Sequence, residues 1–174
     1  MRSRILFAIC CISVLVAQPS FTEHAISTSA DGAYFVYAAD VDGDGDIDVL
    51  SASYLDDKIA WYENDGSESF TEHAISTSAD GAISVYAADV DRDGDMDVLS
   101  ASAIDDKIAW YENDGSESFT ENAISTSADG AISVYATDVD GDGDIDVLSA
   151  SRNDDTIAWY ENDGSESFTE HAIS

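Results

Sequence analysis

Cysteine is almost missing from this chain: its 174 residues hold two, Cys10 and Cys11, side by side near the N-terminus. No disulfide framework and no thiolate metal centre can stand behind the remaining sequence. Proline occurs once, so extended proline-rich segments are excluded as well. Basic residues are scarce, with 6 Lys+Arg against 37 Asp+Glu and a formal net charge of -31. A field of that sign repels phosphate backbones and anionic lipid surfaces, which argues against nucleic acid as a partner and favours cations, metal ions first. Hydrophobic residues nevertheless make up 44% of the chain, enough for a packed core in one ordinary domain.

No apolar run reaches the roughly 20 residues of a membrane span. The longest extends from Ile5 to Val16, follows Arg2 and Arg4, and ends at Ala17 before Gln18 and Pro19. That layout predicts a secretory signal over residues 1–17, an exported mature chain over 18–174, and an extracellular location. Cys10 and Cys11 leave with the signal. No Gly, Ala or Ser directly precedes either cysteine, which speaks against a bacterial lipoprotein anchor.

What is abundant is repetition. Phe21, Phe70, Phe119 and Phe168 each open the phrase Phe-Thr-Glu-(His/Asn)-Ala-Ile-Ser, each 49 residues after the last. The units run 21–69, 70–118 and 119–167, with a partial unit at 168–174. Within the first unit, Ala33 to Ala39, Ile47 to Ser53, Lys58 to Glu63 and Phe70 to Ile75 are rich in β-branched and aromatic residues. They are separated by Asp/Gly clusters, an Asp56-Asp57 turn and an Asn64-Asp65-Gly66-Ser67 turn. No stretch sustains a helical apolar period, so the prediction is all-β: tandem four-stranded antiparallel blades of a partial β-propeller. Three blades are expected, plus one extra N-terminal strand at Phe21 to Ile26.

One loop in each unit carries chemistry. Asp40, Asp42, Asp44, Asp46 and Asp48 alternate through a nine-residue stretch, repeated as Asp89, Asp91, Asp93, Asp95 and Asp97 and as Asp138, Asp140, Asp142, Asp144 and Asp146. Carboxylates at positions 1, 3, 5 and 9, a glycine at position 6 and a backbone carbonyl at position 7 suit one hard cation. Calcium fits this oxygen-only set better than magnesium, which keeps its waters, or zinc, which asks for nitrogen or sulfur. An EF-hand is excluded because position 12 is Ser51, Ser100 or Ser149 rather than Glu, and the flanks read as strands. Dockerin modules fail on the same flanks, and thrombospondin type 3 arrays for lack of cysteine. Calcium affinity of about 10⁻⁴ to 10⁻³ M, or tighter with four carboxylates, is expected.

Asp-Val-Asp-Gly-Asp-Gly-Asp-Ile-Asp-Val-Leu followed by Ile-Ala-Trp-Tyr-Glu-Asn-Asp-Gly resembles the FG-GAP/VCBS repeat, the blade of integrin-α-type β-propellers. The resemblance covers Phe21 to Ser174. It implies that Asp40, Asp42, Asp44 and Asp48, with their equivalents, bind calcium through side chains and Asp46 through its carbonyl. It also implies adhesion or recognition of an extracellular protein or glycan. Full propellers of that family commonly have seven blades, whereas three are legible here, so a homo-oligomer that closes the propeller is a further expectation.

Other residues read as structural. His24, His73 and His171 share one repeat position in an outer strand. Trp61, Trp110 and Trp159 sit inside apolar runs, as expected of inter-blade core rather than a sugar-stacking platform. No Gly-x-Ser-x-Gly elbow occurs and no histidine stands as a nearby base, so no enzyme is predicted. Two alternatives stay open: an accessory part or fragment of a secreted polysaccharide-acting enzyme, and a calcium-sequestering matrix protein. The units differ from one another at Tyr34-Phe35 and Tyr54-Leu55, and these differences fall mainly on the rim opposite the acidic loops, where ligand recognition is expected.

Overall fold

A computed structural model describes residues 19–173; the expected signal over 1–17 lies outside them. Among the described residues twelve strands follow one another: β1 (Ala33–Ala39), β2 (Asp48–Ser53), β3 (Lys58–Asn64), β4 (Phe70–Ser76), β5 (Ala82–Ala88), β6 (Asp97–Ser102), β7 (Lys107–Asn113), β8 (Phe119–Ser125), β9 (Ala131–Thr137), β10 (Asp146–Ser151), β11 (Thr156–Asn162) and β12 (Phe168–Ala172). They form three separate four-stranded sheets, each in sequence order, β1 to β4, β5 to β8 and β9 to β12. All neighbouring strands are antiparallel. Among the described residues no helix is long and apolar enough to cross a membrane. The all-β, tandem-blade reading holds, and the series of sheets is open rather than closed into a ring.

Each hairpin follows from local chemistry. Ala39 pairs with Asp48 across the acidic loop, and Ser53 pairs with Lys58 across a tight turn in which Asp57 takes φ 54. Asp tolerates that left-handed geometry better than most residues. Ile47, expected in a strand, instead belongs to the loop and is exposed.

The extra N-terminal strand does not form. Residues 21–26 carry no strand pairing and Phe21 is 94% exposed. The same phrase makes β4, β8 and β12, and in each case it pairs with the strand immediately before it: β3, β7 and β11. No such strand precedes Phe21 among the described residues, and a strand without a ladder partner leaves its backbone groups to water. The sheets also straddle the sequence units. Residues 70–76 open the second unit yet complete the first sheet, and 168–172 supply the outer strand of the third.

Two apolar cores lie between sheets, not within them. In the first, Val41, Leu50, Ile59 and Trp61 of one sheet face Ala82, Val85, Val98 and Tyr111 of the next. The second joint repeats it 49 residues later, with Val90, Leu99, Ile108 and Trp110 against Ala131, Val134, Val147 and Tyr160. Alanines on the receiving face leave room for the indole, so Trp61 and Trp110 are fully buried. The inter-blade reading of these tryptophans is thereby explained by packing. Trp159, on which no further sheet packs among the described residues, is only half-buried. Tyr37, Tyr86 and Tyr135 pack in a row along the inner strands, their rings tilted to one another with centroids 4.6 and 4.8 Å apart. His73 and His171 lie on outer strands, stacked on Trp61 and Trp159 and hydrogen-bonded to Glu63 and Glu161 at 2.8 and 2.7 Å. Both imidazoles thus lie between a tryptophan face and a glutamate of the neighbouring strand.

Candidate metal centres

The antiparallel order puts every acidic loop on one rim, together with the turn that follows the third strand of its sheet. Asp48 begins β2 and is fully buried; its Oδ2 accepts the Val41 N–H at 3.0 Å and its Oδ1 accepts the Asn64 N–H at 2.8 Å. Asp97 and Asp146 repeat the arrangement with Val90 and Asn113, and with Val139 and Asn162. The last acid of each loop therefore ties the loop to the end of the third strand.

Around that anchor the carboxylates converge. Asp40, Asp42 and Asp48 each offer an oxygen, all within 4.8 Å of one another, and so do Asp89, Asp91 and Asp97 and Asp138, Asp140 and Asp146. Each of the three clusters can hold a metal ion. Asp40 Oδ1 and Asp89 Oδ1 are buried with no hydrogen-bond partner, an arrangement that costs about 1–3 kcal/mol or more unless something positive meets them. A hard cation fits these oxygens; no nitrogen or sulfur ligand is among them.

Electrostatics agree. Burial pushes the Asp42 carboxyl up, its bond from the Asp44 N–H pulls the other way, and Asp48, Asp44 and Asp40 push it further. Asp91 is raised by burial and by Asp93, Asp89 and Glu112. Asp97 is pushed up to about 6 by burial, against the lowering effect of the Asn113 and Val90 N–H groups. These are the shifts of crowded carboxylates that face no counter-charge, and a bound cation reverses their sign.

The remaining sequence-predicted residues stand outside the clusters. Asp44 turns its Oδ1 to the Asp46 N–H at 2.8 Å, and Asp93 and Asp142 do the same for Asp95 and Asp144 at 2.9 and 2.8 Å. The Asp46 carboxylate lies over Gly66, whose φ of 73 and lack of Cβ leave space for it. Asp95 and Asp144 sit likewise over Gly115 and Gly164. Asp144 is also paired with Arg92, which stands where the other loops have Gly43 and Gly141 and links the second loop to the third. One contributor escaped the sequence reading: Asn64 accepts the Gly66 N–H through its side-chain oxygen at 3.2 Å and donates Nδ2 to the Ile47 carbonyl at 3.1 Å. The recurrence of Asn64, Asn113 and Asn162 in the Glu-Asn-Asp-Gly phrase was the available signal.

The FG-GAP-like repeat family matches the chain over residues 40–100, 91–149 and 138–174. The chain belongs to that family. Among curated proteins no match is found. A solved structure described by the specific recognition of non-reducing terminal N-acetylglucosamine by an Agrocybe aegerita lectin is similar in fold, with TM-score 0.58 and 16% identity. The match covers 82% of this chain and 39% of that one.

Proposed function

We propose that the protein is a secreted β-propeller module whose three acidic loops bind calcium and whose opposite rim recognises an extracellular glycan or protein. The observation that carries the metal reading is the convergence of three carboxylates in each loop, in the same register three times, with partnerless buried oxygens in two of them. Export is supported by the layout of residues 1–17. Calcium is favoured by the all-oxygen donor set and by the family, and the loops would gain rigidity from it.

Isothermal titration calorimetry at millimolar calcium is expected to show three ions per chain. Asp42→Ala is expected to show two, because it removes one carboxylate from the first cluster only. No calcium uptake by the parent protein at that concentration overturns the reading. Polysaccharide turnover that vanishes when an acid outside the loops is mutated establishes the enzymatic alternative instead.

A glycan is favoured on two grounds: the lectin of similar fold, and a depression of about 380 Å³ on the rim opposite the loops, lined by Tyr34, Tyr54, Leu55, Ile83 and Arg152. The Tyr34 and Tyr54 rings stand 6.3 Å apart, amphipathic surfaces of the type that sugars stack on. Tyr34, Phe35, Tyr54 and Leu55, replaced together by alanine, are expected to weaken capture on immobilised glycans ending in N-acetylglucosamine by at least about tenfold. Unchanged capture places recognition elsewhere.

A further inference from the structure

We propose that two copies of this chain close head to tail into a ring of six sheets, the outer face of the third sheet in each copy seating on the outer face of the first sheet in the other. Among the described residues, the two faces left open are the two halves of a joint the chain already makes twice. Val36 on the first sheet is 66% exposed, whereas its counterparts Val85 and Val134 are 0% and 5% exposed beneath the preceding sheet. Ile157 on the third sheet is 49% exposed, whereas Ile59 and Ile108, covered by the following sheet, are at 0%. Open apolar faces of this kind mark interaction surfaces.

The polar part of the joint is repeated too. Where the first sheet meets the second, Asp57 Oδ1 accepts the Gly81 N–H at 2.9 Å and the Asp57 carbonyl accepts the Ala79 N–H at 3.0 Å. Where the second meets the third, Asp106 accepts from Gly130 and Ala128 at 2.8 and 3.0 Å. Asn113 and Asn162 donate across the two joints to the Val41 and Val90 carbonyls at 3.5 and 3.4 Å. On the open faces the same residues wait in the same places: Asp155 and Val139 on the third sheet, Gly32, Ala30 and Asn64 on the first. The joint between copies lacks the Arg92 to Asp144 pair, since Gly141 stands at that position, but so does the joint between the first and second sheets, where Gly43 stands there. A second copy is therefore the occupant for which both faces are already complementary.

The number of copies follows from closure. Rings of about four to eight blades are the usual size range, so two chains giving six sheets close within it and three chains giving nine do not. The ring has one two-fold axis, and the same heterologous joint occurs in it twice. The net charge of -31 opposes the approach, so salt strengthens association by screening to about 10 Å at 0.1 M.

Light scattering of the full chain at about 0.15 M sodium chloride with millimolar calcium tests the inference. Twice the monomer mass is expected. Val36→Asp and Ile157→Asp each place a charge on one half of the joint, and each is expected to give monomer. Mixed in equal amounts at high protein concentration they are expected to form an open dimer, weaker than the parent's, through the one joint between the sound third sheet of Val36→Asp and the sound first sheet of Ile157→Asp, the other joint carrying both charges. That rescue separates a blocked joint from a failure to fold, with circular dichroism as a second check. Trp159 fluorescence is expected to shift to the blue on dimerisation. Parent protein that is folded and monomeric at every salt and calcium concentration overturns the proposal, as does a chain of more than two copies or a mixture that stays monomeric.

Discussion

Removing the proposed calcium ions with chelator is expected to lower the melting temperature by about 8–16 °C. Millimolar calcium is about ten times a dissociation constant of about 10⁻⁴ M and stabilises the folded state by about 1.4 kcal/mol per site, so three equivalent sites would contribute about 4 kcal/mol. Domains of this size lose roughly 2–4 °C for each kcal/mol. Total stability is about 5–15 kcal/mol for a typical domain, so the proposed ions would supply about a quarter of it or more. Part of the loss comes from exposing repulsion: in each cluster three carboxylates lie within 4.8 Å of one another, and only water and backbone N–H groups remain to balance them. The measurement is differential scanning calorimetry with calcium, with chelator, and with calcium restored. A melting temperature that chelation leaves in place shows that the loops hold their shape without an ion.

Trp110→Ala is expected to cost about 3–5 kcal/mol, against about 1–2 kcal/mol for Trp159→Ala, in solution dilute enough to keep chains apart. The two residues are the same position in successive units, and what differs is the neighbour. Trp110 is 1% exposed and fills the joint between the second and third sheets, so its removal leaves a cavity among alanines and valines that cannot collapse far. Trp159 is half-buried and has water on one side, so truncation there removes less packed surface. Urea unfolding of both variants measures the difference. Equal losses would show that the indole's value lies within its own sheet rather than at the joint.

The sequence was legible wherever local chemistry and spacing decide the outcome. Ala33 to Ala39 forms a strand with the expected limits, because β-branched and aromatic residues run up to an Asp/Gly loop that no strand continues through. Asp40, Asp42 and Asp48 come together as alternation around a glycine suggests. What was not legible depends on partners distant in sequence. Phe21 to Ile26 has the residues of a strand but no ladder to join. Asp44, equally well spaced, stands outside its cluster with its Oδ1 on the Asp46 N–H, a placement that carboxylate spacing does not reveal. The Asn64 N–H reaches Asp48 over 16 residues only because the β2–β3 hairpin brings them side by side.

The offset between repeat and sheet bears on how such a chain can lengthen. Each sheet takes its outer strand from the phrase that opens the next 49-residue stretch, so no privileged starting point exists along the period. A tandem duplication of one period, begun at any residue inside the array, restores every strand to its correct neighbour and adds one whole sheet with its acidic loop and its joint. A duplicated segment that contains strands but is not a whole number of periods long puts a strand beside the wrong partner. Growth in whole sheets is thus permitted from anywhere in the array, and the near-identity of the three units is what a history of such steps would leave.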